Sequence, residues 1–351
     1  MKLLAWVVLW VLLFPVAVIS EEIQIPAMVG LTGASANFGK VELDAYRLAV
    51  EEWNAKGGIK GKKVTLKVED TQTSQKQIVT SFYRIAAWKP PVILGPTWLD
   101  TYQAVIPVAR RENILLVTPS AAIEAFSKEN KTWPISFYHN TTEETKVLVK
   151  GLKRKGFKKI ALIYEEGPFA EMIRRLVLKN VSNLLVDTGI QGGETEFISI
   201  LAKLRKKKPD VLLVFVWDES SLLSLLKNLS IYLPNLYLAT IHDGGGWLKN
   251  PTFKPYLSHL IFTKFVITDT SFEARFEKRF GYKPMLTASN AYDAINAVLL
   301  AISAGNNTAT QIRQYLTTKK LKTVTFGKFK FNMDGSVPSK VVLVDSSTLN
   351  Q

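Results

Sequence analysis

The sequence predicts an α/β protein made of two doubly wound, parallel-sheet lobes. Short apolar runs rich in β-branched residues alternate with segments of helical periodicity, a pattern typical of parallel strands wrapped by helices. The alternation occurs in two series, with a seam near residues 139–141. The chain has 351 residues, of which 47% are hydrophobic, and this is enough for about two domains, each with its own core.

The first series predicts four strands, from the runs QIPAMVGLTG, KVTLKVED, PVILG and ILLVTPS. Helices are predicted between them, the second over 74–88 and the third over about 100–111. The first helix has the clearest pattern, because the glycine pair 57–58 ends it and its apolar residues share one face. The residues of that face are Leu43, Tyr46, Ala49, Val50 and Trp53.

The second series predicts strands from KKIALIYEE, LLVDTGI, DVLLVFVW and LYLATI. Helices are predicted over 141–155, 169–184, 195–206 and 219–229. The last part of the chain is mixed. TASNAYDAINAVLLAISAG predicts a helix, TVTFGKFKFNMDGSV a hairpin that turns at Asp334 and Gly335, and KVVLV one more strand.

The first residues predict a secretory signal peptide over 1–20. A basic start is followed by an apolar run over 3–19 and by small residues near a cut after Ser20. The alternative is an uncleaved membrane anchor, since 17 apolar residues are at the lower edge of a membrane span. Both interpretations place the protein outside the cytoplasm, in the periplasm or cell envelope.

Composition excludes several kinds of chemistry. The chain has no cysteine, so it has no disulfides, thiolate metal sites or cysteine nucleophile. Its three histidines are widely spaced, and no HExxH, GxSxG or GxGxxG motif is present, so we expect no catalysis, no cofactor and no metal. The net charge of +15 includes basic runs at 150–159 and 203–210, near predicted helix ends. There they complement the helix dipole, and we expect a solvated face and no nucleic-acid site; attraction to an anionic membrane surface is left open.

Several segments resemble a known family. They are VGLTGASANFGK, AVEEWNAKGGIKGKKVTLKVEDTQTS, ILGPTW, ENILLVTPSAA, KKIALIYEEGPFAE, NAYDAINAVLLAISAG and FKFNMDGS. In order and spacing the chain resembles the type I periplasmic ligand-binding proteins, specifically the branched-chain amino-acid (Leu/Ile/Val) type of ABC importers. The resemblance implies an N-lobe of 24–138 and 268–337, a C-lobe of 139–267 and 338–351, and three crossing strands as the hinge.

The resemblance also implies where a ligand binds on the N-lobe. Phe38 matches an aromatic residue over the ligand. Thr97, Trp98 and Leu99 belong to one loop, and Leu99 stands where the family commonly has a carboxylate-binding serine. A further loop carries Ser120, Ala121 and Ala122, and Ala122 replaces a carboxylate-binding threonine. Losing two partners of a buried anion costs several kcal/mol, so we do not expect a standard α-amino acid held in the usual way.

On the C-lobe, the resemblance implies three more ligand-binding residues. Phe169 matches a family aromatic residue, Trp217 ends a strand, and Asp243 matches the acid that holds a ligand ammonium group. His242 is the alternative for that last position, and it is otherwise interpreted as a surface-loop residue. The pocket is therefore predicted to be apolar, for a ligand with a cation or donor and a sizeable apolar body, or for an amide-like solute.

The predicted function is capture of a small amino acid or amide-like solute and its delivery to an ABC permease, by a monomer without catalysis. Two alternatives are open. The same fold serves as a ligand-sensing subunit of a membrane receptor, and the two missing hydroxyls suit an envelope interaction module that has lost small-ligand binding. Lobe closure is common to transport and sensing, so the sequence does not separate them.

Overall fold

The computed structural model of the protein describes residues 22–126 and 130–348. The predicted signal peptide, residues 1–20, lies outside the described residues. Within those ranges, no helix combines the length and apolar character that crossing a membrane requires.

The first lobe is built on a five-stranded sheet in which every pair of neighbouring strands is parallel. The first strand lies inside the sheet and is buried on both faces, which explains its continuous apolar run. The strands are β1 (Ile23–Val29), β2 (Val64–Asp70), β3 (Val92–Leu94), β4 (Leu115–Thr118) and β5 (Ile135–Ser136), in the spatial order β2-β1-β3-β4-β5. The helices between them are α1 (Ala36–Ala55), α2 (Gln75–Ala86) and α3 (Leu99–Arg111).

The second lobe is built on a six-stranded sheet whose first five strands are parallel. Its strands β6 (Ile160–Glu165), β7 (Leu184–Ile190), β8 (Val211–Phe215), β9 (Tyr237–Thr240) and β10 (Leu260–Phe265) alternate with helices. These helices are α4 (Thr141–Arg154), α5 (Pro168–Leu178), α6 (Ile198–Lys207), α7 (Glu219–Tyr232) and α8 (Gly244–Lys249). Side chains at the helix starts define two of them, since Asn140 accepts from the N–H of Glu143 and Asp218 from that of Ser221.

The chain then returns to the first lobe before it ends in the second. Helices α9 (Ser271–Phe280), α10 (Leu286–Ser303) and α11 (Ala309–Thr318) and the hairpin β11 (Leu321–Thr323) and β12 (Gly327–Phe329) share the core of α1 and the first sheet. Strand β13 (Val341–Asp345) joins the second sheet antiparallel to β10. The order across that sheet is β13-β10-β9-β8-β6-β7.

Three segments, 137–140, 266–270 and 338–340, connect the two lobes, and they lie side by side. The N–H of Asn140 donates to Oγ of Ser339 over 2.7 Å, and that of Val266 donates to the carbonyl of Lys340 over 3.0 Å. The ring of His139 stacks on that of Phe265 with 3.6 Å between centroids. The second and third crossings are a direct consequence of the return of the chain to the first lobe.

Two details of the sequence prediction are wrong. The hairpin turns at 324–326, between β11 and β12, and the predicted turn residues Asp334 and Gly335 form a separate turn closed between Asn332 and Ser336. The helix predicted over 169–184 ends at Leu178, because the chain must turn before β7 begins. The strands and helices of the alternating series otherwise occur in the predicted order.

Close packing of α1 on the end of β1 leads to a first testable prediction. A Cβ on Gly39 would lie 2.1 Å from the carbonyl oxygen of Gly30, which is backbone and cannot rotate away. We expect Gly39→Ala to lower the free energy of unfolding by about 2 kcal/mol, measured by urea denaturation. Gly246→Ala is the matched control, because nothing lies within 4 Å of that added Cβ. Equal stability of the two variants would contradict the prediction.

Candidate ligand-binding site between the lobes

The predicted ligand-binding residues lie on or beside loops at the carboxyl ends of parallel strands. In the first lobe these loops follow β1, β3 and β4, and in the second lobe they follow β6, β8 and β9. Such loops share one edge of each sheet and are where open α/β sheets bind ligands. The two edges meet, because α3 contacts α5, and Phe169 packs against apolar clusters of both lobes. We call the surfaces that line this junction the first-lobe wall (Phe38, Trp98) and the second-lobe wall (Phe169, Trp217, His242, Asp243).

The first-lobe wall is an aromatic pair. The rings of Phe38 and Trp98 are tilted against each other with 5.9 Å between centroids. Trp98 has a φ of +70°, a left-handed conformation that costs a side-chain-bearing residue of the order of 1 kcal/mol or more and that clusters at functional sites. Two hydrogen bonds hold it, from its own N–H to Oγ of Ser120 over 3.2 Å and from Oγ1 of Thr101 to its carbonyl over 3.1 Å.

Glu42, a residue that the sequence analysis did not select, lies fully buried beside this wall. Its Oε2 accepts a hydrogen bond from the buried Thr97 hydroxyl over 2.7 Å, and that hydroxyl accepts one from the N–H of Gly30 over 3.1 Å. Burial raises the pKa of Glu42 to about 7, although the hydroxyls of Thr97 and Ser120 act in the opposite direction. A titratable carboxyl group therefore connects the loops after β1, β3 and β4.

Three of the predicted residues, Thr97, Leu99 and Ala121, are buried within the first lobe and do not present side chains to the junction. Leu99 is buried with the apolar cluster beneath α2 and α3, and Ala121 is buried in the same cluster. Ala122 is buried against the apolar cluster of the second lobe. What the loop after β4 offers a ligand is Ser120, which is slightly exposed.

The second-lobe wall is also aromatic, with one exposed acid. The rings of Phe169 and Trp217 lie 5.4 Å apart between centroids, and the ring of Tyr138 meets Phe169 edge-on at 6.2 Å. The indole N–H of Trp217 donates to Oδ2 of Asp243 over 3.0 Å. The backbone N–H of Trp217 donates to Oε2 of Glu165 over 2.8 Å. The side chain of Asp243 is 28% exposed, and its Oδ1 lies 3.8 Å from Nε2 of His242.

His242 is not the surface-loop residue of one sequence interpretation, since its side chain is only 11% exposed. Its Nδ1 lies 2.9 Å from Oε1 of the fully buried Glu144, which also accepts from the N–H of His242 and from Oγ1 of Thr263. Burial lowers the pKa of His242, but the charges of Glu144 and Asp243 outweigh it and raise the pKa to about 9. The imidazole is therefore charged at neutral pH.

Tyr138 connects this ion pair to the first crossing segment. Its hydroxyl lies 3.5 Å from Nε2 of His242. Burial raises the pKa of Tyr138 well above its usual value, and the charges of Glu144 and Asp243 act in the same direction. The phenol is therefore a neutral hydrogen-bonding group beside the second-lobe wall.

The arrangement is that of a candidate binding site. Two aromatic surfaces from different lobes supply apolar contact, and Asp243, His242 and Tyr138 supply a few polar groups, as in most small-molecule sites. Among residues 22–126 and 130–348, no three histidine or acidic side chains are grouped so that they could hold a metal ion.

Known proteins share sequence with this chain. The sequence model of the periplasmic binding protein family matches residues 22–347. The Leu/Ile/Val-binding protein of Escherichia coli K12 is 24% identical over 201 residues, 55% of this chain and 54% of that protein. The leucine-specific-binding protein of Salmonella typhimurium LT2 is 24% identical over 200 residues, 54% of this chain and 53% of that protein. The chain thus spans about half the length of the curated relatives it matches.

Solved structures share the fold across nearly the whole chain. The branched-chain amino acid transporter substrate-binding protein of Streptococcus pneumoniae, solved with isoleucine, has a TM-score of 0.77 at 18% identity and covers 92% of this chain and 95% of its own. An ABC transporter solute-binding protein of R. palustris, solved with 4-hydroxybenzoate, has a TM-score of 0.80 at 16% identity and covers 92% of each chain. Both confirm the predicted two-lobed α/β fold. The names of these relatives are those of binding proteins and not of enzymes. The family match extends over almost all described residues, and this chain therefore belongs to the periplasmic binding protein family.

Proposed function

We propose that this protein is an extracytoplasmic solute-binding protein that captures a small organic ligand between its lobes and delivers it to an ABC importer. The observation that carries the proposal is the pair of aromatic walls, one from each lobe, at the carboxyl edges of the two sheets. A ligand between them buries apolar area on both sides, at about 25 cal/mol per Å². The two hydroxyls that the family commonly uses are absent at Leu99 and Ala122, but the aromatic walls still offer a ligand apolar contact. We therefore favour ligand binding over the alternative of an interaction module that binds no small ligand.

The lobes in this proposal are 24–138 with 268–337 and 139–267 with 338–351. Closure takes place about the three crossing segments, and the protein acts as a monomer in the periplasm or cell envelope. The apolar body of the ligand lies among Phe38, Trp98, Phe169 and Trp217, and a donor or cation on the ligand binds the partly exposed carboxylate of Asp243.

Solved neighbours support a ligand of this size. Three of them were solved with isoleucine, benzoate or 4-hydroxybenzoate, all small molecules with an apolar body. A thermal-shift screen of amino acids, amides, amines, polyamines and aromatic acids tests the proposal, because a ligand that binds only the folded state raises its Tm. Stabilisation by small polar amino acids alone would contradict the apolar pocket.

Trp98→Ala is the mutation that tests the position of the site. Removing one of two rings of the first-lobe wall should weaken binding of the best stabilising compound about 10- to 100-fold, the effect of losing about 1.5–3 kcal/mol of apolar contact. Titration calorimetry measures this change. Trp88→Ala is the control, because Trp88 is an exposed residue after the end of α2 whose ring contacts Lys67. Equal loss of affinity in both variants would place the site elsewhere.

A further inference from the structure

The two basic runs of the sequence meet in the structure. The run at 150–159 covers the end of α4 and the chain that leads into β6, and the run at 203–210 covers the end of α6 and the chain that leads into β8. Strands β6 and β8 are neighbours in the second sheet. The carboxylate of Asp210 joins the two runs, because its Oδ2 accepts from the N–H groups of Lys158 over 2.9 Å and of Lys159 over 2.8 Å.

The ends of α5 and α7 extend this surface. Nζ of Lys153 donates to the carbonyl of Asn180, just after α5, over 2.6 Å. The guanidinium of Arg205 lies 5.1 Å from the ring centroid of Tyr232, the last residue of α7. Four helix ends therefore lie together at the edge of the sheet where the parallel strands begin. We call this surface the distal face, and its exposed residues are Arg154, Lys158, Lys159, Leu178, Lys179, Lys206, Lys207, Lys208, Ile231 and Tyr232.

The seven basic residues of the distal face are not neutralised. Within the described part of the chain, no carboxylate oxygen lies within 4.0 Å of a charged nitrogen of any of them. The acids nearby are already used, Asp210 by the two N–H groups and Asp345 by Lys155 over 2.6 Å. Four helix ends carry about two negative charges in all, so the helix dipoles offset about two of the seven positive charges.

Charge is separated across the second lobe. Most of its acids follow the carboxyl ends of the parallel strands, on the side of the candidate ligand site, and among them are Glu165, Glu166, Glu171, Glu194, Glu219 and Asp243. The distal face lies at the other end of the same strands. Like charges crowded together repel one another, and such a patch attracts an anionic partner. The partner of the distal face therefore lies on the side away from the ligand site.

Apolar side chains are exposed among these cations. Ile231 is 69% exposed and Tyr232 is 45% exposed, and Leu178 lies next to Lys179. Six of the seven cations are lysines, which act as point charges and not as the planar forks that read single phosphate groups. Lysines that surround exposed apolar and aromatic side chains are typical of proteins that lie on an anionic membrane surface. A soluble polyanion would gain nothing from Ile231.

We propose that the distal face docks this protein on an anionic lipid surface, with the lysines against phosphate headgroups and Ile231 and Tyr232 in the interface. This inference goes beyond the proposed function and does not depend on the identity of the ligand. The loops after β6, β8 and β9 lie at the opposite edge of the sheet, so the docked protein keeps its ligand site open to the solvent. Docking holds the protein near the membrane, where an importer lies.

The test titrates the full chain with vesicles of phosphatidylcholine, alone or with about a third phosphatidylglycerol, and measures the bound fraction by sedimentation. The apolar run at 3–19 is the same in every variant, so the ratio of the two partition coefficients reports the added lipid charge. For the wild type we expect a ratio of at least about 25, which falls towards 1 in about 0.5 M salt.

The distal variant combines Lys158→Gln, Lys159→Gln, Lys206→Gln and Lys207→Gln. One lysine near an anionic surface contributes about fivefold in binding, so we expect the ratio to fall at least about 25-fold, the effect of two such charges. The control variant makes the same change in charge on exposed first-lobe lysines and should keep the wild-type ratio. It combines Lys278→Gln, Lys322→Gln, Lys328→Gln and Lys330→Gln. Thermal melting checks that both variants are folded.

Ile231→Ser tests the choice of a lipid partner, and it should weaken binding to the anionic vesicles about fivefold. Vesicle binding that Ile231→Ser leaves unchanged would mean that charge alone is recognised, as by a soluble polyanion, and would overturn the lipid surface as the partner. An equal fall of the ratio in both four-lysine variants, or a wild-type ratio near 1, would overturn the distal face. Ligand stabilisation in the thermal-shift screen is measured without lipid, so these outcomes leave the proposed function intact.

Discussion

Replacing His242 with leucine is expected to lower the free energy of unfolding at pH 6.5 by about 3–5 kcal/mol, the usual cost of removing one partner of a buried ion pair. The variant leaves Glu144 fully buried, and within the described part of the chain its remaining partners are the N–H of residue 242 and the hydroxyl of Thr263. Urea denaturation measures the change as a lower midpoint at an unchanged slope.

The pH dependence of this effect has a defined sign. In the folded protein the pKa of His242 is about 9, above the value of about 6.5 for a free histidine. Because its pKa is raised in the folded protein, His242 contributes its full stabilisation below about pH 6.5, and this contribution is lost as the pH rises through 9. The difference between wild type and variant should therefore shrink between pH 6.5 and pH 10. A constant difference over that range would show that the imidazole is uncharged in the folded protein.

Two variants serve as controls for His242→Leu. His259 is half-buried against the ring of Tyr237, so His259→Leu should change stability by less than about 1 kcal/mol. Adding Glu144→Gln to His242→Leu removes the unpaired carboxyl group and keeps an acceptor for Thr263, so it should recover part of the lost stability. A double variant as unstable as the sum of its single variants would mean that the two side chains do not interact.

Local sequence pattern predicts most of the architecture of this protein. Strands such as β8 are short apolar runs and helices such as α1 have apolar residues at helical spacing, so each element is visible in its own segment. The return of the chain to the first lobe is not visible in this way. It depends on contacts between α10 and α1, which are separated by more than 200 residues, and the family resemblance implied it.

The candidate site is predicted less well, and the reason is burial. Leu99 and Ala122 were assigned by their place in loops, but their side chains point into apolar clusters. Glu144 carries no sequence signal, because acids are common in the first turn of any helix. Its partner His242 is 98 residues away, so their pairing depends on the fold. Glu42 does carry a signal, since it lies on the same helical stripe as the buried residues Tyr46 and Ala49.

Glu42→Gln is expected to stabilise the protein at pH 8 by about 3 kcal/mol, because the folded pKa of about 7 exceeds the free value of 4.5 and each pKa unit corresponds to about 1.4 kcal/mol. A raised carboxyl pKa means that the folded state holds its proton more tightly. The contribution of Glu42 to stability is therefore full below pH 4.5, is lost as the pH rises to 7, and stays lost above it. Wild type and variant should be nearly equally stable at pH 4.5 and differ at pH 8.

Urea denaturation of the wild type, Glu42→Gln and the exposed control Glu51→Gln at the two pH values measures this difference. A variant less stable than the wild type at pH 8, or an equal gap at both pH values, would mean that Glu42 is paired in a way that offsets its burial.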